Sequence, residues 1–439
     1  MGWHSANPFS LIKNGVGKLL ENYQAAVNYI HSLPKFHRTN NLDNIKEALN
    51  VLGNPQNSYE TIHITGTNGK GTTTNFLANL LEGTGKRVGM FTSPFINEFN
   101  ERIQINHQYI SNADLLEEVN FIKDKIGDIP LAEFEFVTIL GYFYFCGRVD
   151  VAVIEAGIGA AHDKTNVITP VLSIITSIDL DHEKLIGPTI QDIAKEKSGI
   201  IKSNVPIVTG LLQDSVQDII EETAEKKNSP IFKFGREFGI KNYKNNNFRL
   251  SFIYYDDRVD IEGIDCQGFE KTTAMNASIA IRAFICYQEG HDLRVSTTAI
   301  KDNLDRNHLP ARAQIVQQKP MILMDGAHNI SAIHNLINSL TINYENKDII
   351  VLYAGMKDKD RQEILEELAP KTEHIYITTL DMARSAKAED YDLSVYDNVS
   401  FVENYHDELQ KIISKMNRKQ ILLITGSFYL ISDLEHYFS

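Results

Sequence analysis

Thr61-Ile62-His63-Ile64-Thr65-Gly66-Thr67-Asn68-Gly69-Lys70-Gly71-Thr72-Thr73 decides how this chain is read. A short β-branched run passes into a glycine-rich loop with one lysine, and helix-forming sequence follows. Such a loop binds phosphate. Its glycines let backbone N–H groups turn inward, Lys70 adds a point charge, and the helix offers the positive end of its dipole. The strict pattern G-x-x-x-x-G-K-[ST] is not met, because Ile64 takes the first glycine position and Gly71 separates Lys70 from the hydroxyl of Thr72. The loop is a variant. The plainer reading, a turn with a solvated lysine, is disfavoured by the strand before it and the helix after it.

Outward from this loop, apolar runs and amphipathic stretches alternate as in a mainly parallel sheet covered by helices. After helices over 23–33 and 42–52, strands are expected at 61–65, 87–91, 149–155, 171–177 and 206–208. The helices between and after them are expected at 73–82, 114–126, 135–146, 190–200 and 212–226. Residues 232–266 read instead as short strands with polar turns, a small antiparallel excursion, before a helix over 273–289. Pro310 then interrupts the pattern. A second α/β series follows, with strands at 321–324, 349–353, 374–378, 399–402 and 420–425. The expected fold is α/β: a P-loop NTPase-type, mainly parallel sheet with a small antiparallel excursion, plus a second, smaller Rossmann-like α/β domain. The first domain is placed at 22–305 and the second at 306–439, with a hinge near 304–310. Residues 1–21 are expected to form a disordered extension.

Composition agrees with two domains, since 439 residues exceed what one hydrophobic core serves and 43% of them are hydrophobic. A net charge of −14 argues against nucleic acid or an anionic membrane as partner, both of which need a positive field. Anionic substrates would need local cations. Cys146, Cys266 and Cys286 are too few and too scattered for a disulfide framework or a zinc site. The first twenty residues lack an apolar signal core, and the apolar stretch 131–147 is interrupted by Glu133 and Glu135. A soluble, cytoplasmic protein is expected.

Several apolar strands end in polar residues, and ligands in open α/β sheets bind at the carboxyl edge. Glu155 closes 149–155, where its carboxylate could hold a magnesium ion on ATP phosphates. Ser93 follows another strand, although serine before proline is most often a turn residue. His182, beside Asp181, follows a third; alone it would be read as structural, because histidine is an unusual magnesium ligand. Residues 194–202 would ordinarily be a solvated helix face. Asp325 and His328 end a strand of the second series, and Ser427 could cap a helix or bind a ligand.

Together these segments resemble the folylpolyglutamate synthase and dihydrofolate synthase branch of the Mur ligase superfamily, from about Tyr23 onward. The motifs are Gly66-Thr67-Asn68-Gly69-Lys70-Gly71-Thr72, Thr92-Ser93-Pro94-Phe95 with Asn100-Glu101-Arg102-Ile103, and Asp181-His182. They continue with Glu196-Lys197-Ser198-Gly199-Ile200-Ile201-Lys202, Leu309-Pro310-Ala311-Arg312, Asp325-Gly326-Ala327-His328-Asn329 and Thr425-Gly426-Ser427.

The resemblance implies an ATP- and magnesium-dependent ligase that joins L-glutamate to a folate through an acyl phosphate. It implies that the loop 66–72 binds ATP, with Lys70 on the β and γ phosphates, and that Asn276, Arg312 and Asp325 bind the nucleotide too. Ser93, Glu155, His182 and Lys197 become metal ligands, Lys197 as its carbamate, and Lys70, His182 and Lys197 carry the catalysis. Phe95 and Arg102 fall in the folate-contacting loop, and His328 and Ser427 on the glutamate side. Phe95, where bifunctional relatives more often have histidine, points toward polyglutamylation alone. A monomer is expected.

Two places depart from the pattern: Ala160-Ala161-His162, where a second glycine is usual, and Lys271-Thr272 before Asn276. Two alternatives stay open: a dihydrofolate synthase or bifunctional enzyme, and, in another class, a P-loop NTPase acting as a switch or binding module.

Overall fold

The computed structural model describes residues 19–36, 41–246, 248–305 and 311–438. The expected extension and hinge therefore lie largely outside the described residues.

The first sheet has eight strands. They are β1 (Glu60–Thr65), β2 (Val88–Phe91), β3 (Ile103–Ile105), β4 (Gln108–Tyr109), β5 (Val151–Glu155), β6 (Leu172–Ile175), β7 (Ile207–Thr209) and β8 (Ile231–Lys233), in the order β4-β3-β2-β5-β1-β6-β7-β8. From β2 to β8 every neighbouring pair is parallel, and β3 and β4 add an antiparallel edge. Strands buried on both faces are apolar over most of their length. Accordingly β2, β5 and β6 are buried at every position.

One face of this sheet packs on the helices Lys70–Glu82 and Lys271–Gly290, through Phe76, Leu80, Ala277 and Ile281. The other packs on Glu133–Phe145, through Phe136, Ile139 and Leu140. That helix is the apolar stretch over 131–147. Its Glu135 is buried and receives the Ala132 N–H at 2.8 Å, so a carboxylate interrupts the apolar run without facing water. Among the described residues no helix is long and apolar enough to cross a membrane.

Strands β9 (Phe238–Asn246), β10 (Arg249–Asp256) and β11 (Asp260–Gln267) form a separate antiparallel sheet whose Leu250, Phe252 and Ile264 join the core under Lys271–Gly290. The excursion is thus real but starts later than expected, because β8 pairs parallel with β7 and belongs to the main sheet. The third sheet orders β12 (Gln314–Gln318), β13 (Met321–Asp325), β14 (Asp348–Tyr353), β15 (His374–Thr378), β16 (Val399–Val402) and β17 (Gln420–Thr425) as β12-β13-β17-β14-β15-β16. All its pairs are parallel except β12 with β13. Two α/β layers with mostly parallel sheets are the fold.

Candidate functional site

Because β1, β2, β5 and β6 run parallel, the loops that follow them leave the same edge of the first sheet. The loops after β13, β14 and β17 leave one edge of the third. The two edges meet. Asn68 and Asn329 exchange side-chain amide hydrogen bonds at 3.3 and 3.0 Å, Ser331 donates to Asp179 at 3.2 Å, and Lys359 pairs with Asp181.

The loop after β1 is shaped by two close approaches. A Cβ on Gly66 would lie 1.9 Å from Thr176 Oγ1, and one on Gly69, at φ +85°, would lie 2.5 Å from Asn276 Oδ1. Neither position admits a side chain. Thr67 N–H donates to Ser177 O at 2.9 Å, Asn68 N–H to Ser177 Oγ at 2.9 Å, and Thr176 Oγ1 to Asn68 O at 2.6 Å, which fastens the loop to the end of β6. Lys70 opens the helix, earlier than the sequence suggests, and its Nζ donates back to Gly66 O at 3.0 Å.

Glu155 is buried beside this loop. Ser93 N–H donates to its Oε2 at 3.3 Å, and burial raises its carboxyl against the pull of Lys70, Arg312 and Arg102. Arg102 donates to Ser93 Oγ at 3.2 Å and lies 4.9 Å over the Phe95 ring, so the loop after β2 brings all three together.

His182 is held down to about 4, first by burial, so its imidazole is neutral at ordinary pH. Lys197, buried in the helix Ile190–Ser198, is lowered to about 7 by burial and then by Lys70. Glu155, His182 and Lys197 thus all feel the charge of Lys70.

Ala160-Ala161-His162 serves this helix. Ala160 N–H and His162 N–H donate to Glu196 Oε1 at 3.3 and 2.9 Å, and the His162 ring meets Oε2 at 2.9 Å. Only the His162 ring is peculiar to this departure, since glycine would keep the two backbone donors; it adds a contact to Glu196, the residue next to Lys197.

On the opposite edge Asp325 accepts the N–H groups of Ala313 and Ala327 at 2.7 and 2.8 Å, which orients its carboxylate beside Arg312. His328 holds Gly326 O at 2.8 Å through Nδ1 and packs on Phe428. Ser427 is buried, and its Oγ accepts Tyr429 N–H at 3.1 Å, so it caps the last helix. Between the edges lies a cavity of about 760 Å³, lined by Asn68, Gly69, Thr72, Asn276, Arg312 and Asp325 among others. That volume suits a nucleotide-sized ligand.

No three His, Cys, Asp or Glu side chains gather as a metal cluster among the described residues. Of the expected donors, Ser93 and Glu155 meet directly, while neutral His182 is related to them only through the charge of Lys70. A buried carboxylate with one protein hydrogen bond, a hydroxyl and an imidazole fit a hard cation that draws its other ligands from water and phosphate. Sequence reasoning passed over Lys359, because Lys357-Asp358-Lys359-Asp360 looks like a solvated charge run. Yet it follows β14 at the carboxyl edge, which was the available signal.

Residues 311–428 match the family model "Mur ligase, glutamate ligase domain". The folylpolyglutamate synthase of Lacticaseibacillus casei is 36% identical over 94% of this chain and 97% of its own length. The dihydrofolate synthase/folylpolyglutamate synthase of Bacillus subtilis is 33% identical over 94% and 98%. Among solved structures, the apo form of L. casei FPGS superposes with a TM-score of 0.85 at 35% identity, covering 95% of this chain and 99% of that one. An FPGS–AMPPCP–folate complex does so at 0.85 and 34%, with the same coverage. With similarity running nearly end to end in both sequence and structure, the chain belongs to the folylpolyglutamate synthase family.

Proposed function

We propose that this chain adds L-glutamate to the γ-carboxylate of a tetrahydrofolate or folylpolyglutamate, cleaving ATP to ADP and phosphate through an acyl phosphate. One observation carries the reading: two strand-end edges face each other, with Lys70 in electrostatic reach of Glu155, His182 and Lys197 on one and Asp325 and Arg312 on the other. The folate-bound and AMPPCP-bound relatives support it.

In the first step a carboxylate oxygen attacks the γ-phosphorus, and the bond to the leaving ADP oxygen breaks. In the second the amine nitrogen of glutamate attacks the acyl carbon, phosphate leaves, and the amine loses a proton. The N–H groups of 66–72 and Lys70 hold the β and γ phosphates in line, where fixed donors act without reorganisation. Asn276, Arg312 and Asp325 hold the nucleotide. Arg102 and Phe95 contact the folate, and His328 and Ser427 shape the glutamate side.

Ser93, Glu155 and His182 would hold a magnesium ion, whose chemistry is neutralisation of phosphate charge. Lys197, held near 7 by burial, presents a partly neutral amine. That form attacks carbon dioxide, and the resulting carbamate would supply a further anionic donor. Closure of the two edges keeps water from the acyl phosphate. The protein acts in the cytoplasm as a monomer.

The test is ATP-dependent incorporation of labelled glutamate with tetrahydrofolate or dihydropteroate as acceptor. Incorporation on tetrahydrofolate is expected. Dihydropteroate as the only acceptor would make the chain a dihydrofolate synthase, and ATP hydrolysis indifferent to folate and glutamate would favour the switch.

A further inference from the structure

Among the described residues, three carboxylates line the cavity between the two sheets: Asp179, Glu270 and Asp325. Two are accounted for within the protein. Burial, and then the Asp325 charge, push the Glu270 carboxyl up to about 8, so it is largely neutral at ordinary pH. Asp325 faces Arg312 and accepts two N–H groups. Asp179 differs: it accepts the Ser331 hydroxyl, a neutral donor, at 3.2 Å, and no ion pair holds it among the described residues. Asp181, two residues on, is already paired with Lys359.

Asp179 is fixed at both ends. Its N–H donates to Thr67 Oγ1 at 3.0 Å and its carbonyl accepts the same hydroxyl at 3.1 Å, which ties its backbone to the loop 66–72. Its side chain reaches across to Ser331, in the first turn of Ile330–Asn343 and inside the matched glutamate ligase domain. The carboxylate therefore stands where the phosphate loop of one half meets the glutamate ligase half.

Burial raises the Asp179 carboxyl, against the pull of Ser331, Lys197 and Asn68. Of these only Lys197 is a cation, and it is itself held near 7; as a carbamate it would be an anion and leave Asp179 with no positive charge to balance it. Glutamate arrives with two carboxylates and one ammonium. The carboxylates call for cations, whereas the ammonium, the group that has to face the acyl phosphate, calls for an anion. In a half-buried cleft that attraction is stronger than in water.

On the reading of this cleft as the ligase site, we propose that Asp179 receives the ammonium of the incoming glutamate and holds its nitrogen beside the loop 66–72, with Ser331 orienting the carboxylate from the other half. Asp179 is then a substrate-binding residue for the second step alone. It has no part in forming the acyl phosphate.

The experiment compares ligation by the full chain, with tetrahydrofolate, ATP and varied glutamate, with capture of the acyl phosphate as a hydroxamate by hydroxylamine, a small neutral nucleophile that needs no ammonium site. The proteins are the native chain, Asp179→Asn and Asp179→Ala, with thermal melts to establish folding. Both variants should raise KM for glutamate by about tenfold to a hundredfold, the range of one hydrogen bond between charged groups, while KM for ATP and the hydroxamate rate hold. Asp179→Asn keeps an acceptor for Ser331 and should still fare no better than Asp179→Ala, because charge is what is lost. An unchanged KM for glutamate in folded Asp179→Asn, or equal loss of hydroxamate and amide formation in both variants, would overturn the proposal while leaving the ligase reading intact. A native protein that forms neither amide nor hydroxamate would overturn both.

Discussion

Asn68, in the loop after β1, and Asn329, at the N-terminus of the helix Ile330–Asn343, hold each other through paired side-chain amides. Asn68 also lends its backbone to the β6 end, while Asn329 Oδ1 accepts Ala332 N–H at 2.9 Å. The pair links the loop after β1 of one sheet to the carboxyl edge of the other. Asp181, ion-paired with Lys359 and 3.4 Å from Asn329 Nδ2, extends the link.

Asn68→Ala should weaken closure without melting the protein. Its effect on kcat/KM for ATP should be about tenfold, with Tm nearly unchanged. Asn329→Ala should add a loss of about 1 kcal/mol of stability from its cap. A double-mutant cycle on kcat/KM should show coupling of roughly 0.5–3 kcal/mol. Additive effects would mean the amides do not communicate.

Gly69→Ala should lose nucleotide binding before it loses folding. A side chain at φ +85° costs about 1–2 kcal/mol and collides with Asn276. Gly66→Ala, aimed at Thr176, should be worse, and Thr176→Ser beside it should recover nothing because the Oγ is the obstruction. Titration with ATP, together with thermal melts, checks both.

Lys197→Ala should reduce turnover by about a hundredfold or more, the scale on which fixed electrostatic groups act, while Tm holds. A lysine held near 7 is largely neutral above that pH and charged below it, so carbamate formation should rise as pH climbs through about 7. Native activity should therefore rise over the same window and respond to added bicarbonate. A pH profile with and without bicarbonate is the check; a flat response to both would leave the carbamate without a role.

Much of the fold was legible because it rests on pattern. β1, β5 and β6 announce themselves as apolar runs, and their parallel pairing follows from the helices between them. The hairpin β3–β4 was not legible, since Ile103–Ile105 and Gln108–Tyr109 are too short to show a period. β8 was assigned to the wrong sheet because Ile231–Lys233 has the same β-forming composition as the excursion that follows; only its hydrogen bonds to β7 separate them.

Lys197 could be picked out by resemblance, but its burial could not, because Lys195, Glu196 and Lys197 read as one charged face. Lys359 carried only the signal of its place after β14, and it acquires a partner when the loop after β6 brings Asp181 to it.

His182 and His328 should make the protein acid-sensitive. Both are held near 4, led by burial, so between about pH 4 and the ordinary imidazole value near 6.5 the unfolded chain binds more protons than the folded one. Stability should fall as pH drops through that window. Urea unfolding at pH 7 and pH 5 should show the loss, and His328→Gln should lessen it; equal stability at the two values would contradict the burial.

On the proposed mechanism the converging strand ends carry a carboxylate oxygen onto phosphorus. A tetrahydrofolate substrate labelled with oxygen-18 in its γ-carboxylate measures this directly. One labelled oxygen is expected in the released phosphate for each glutamate joined. Amide product formed with unlabelled phosphate would contradict it.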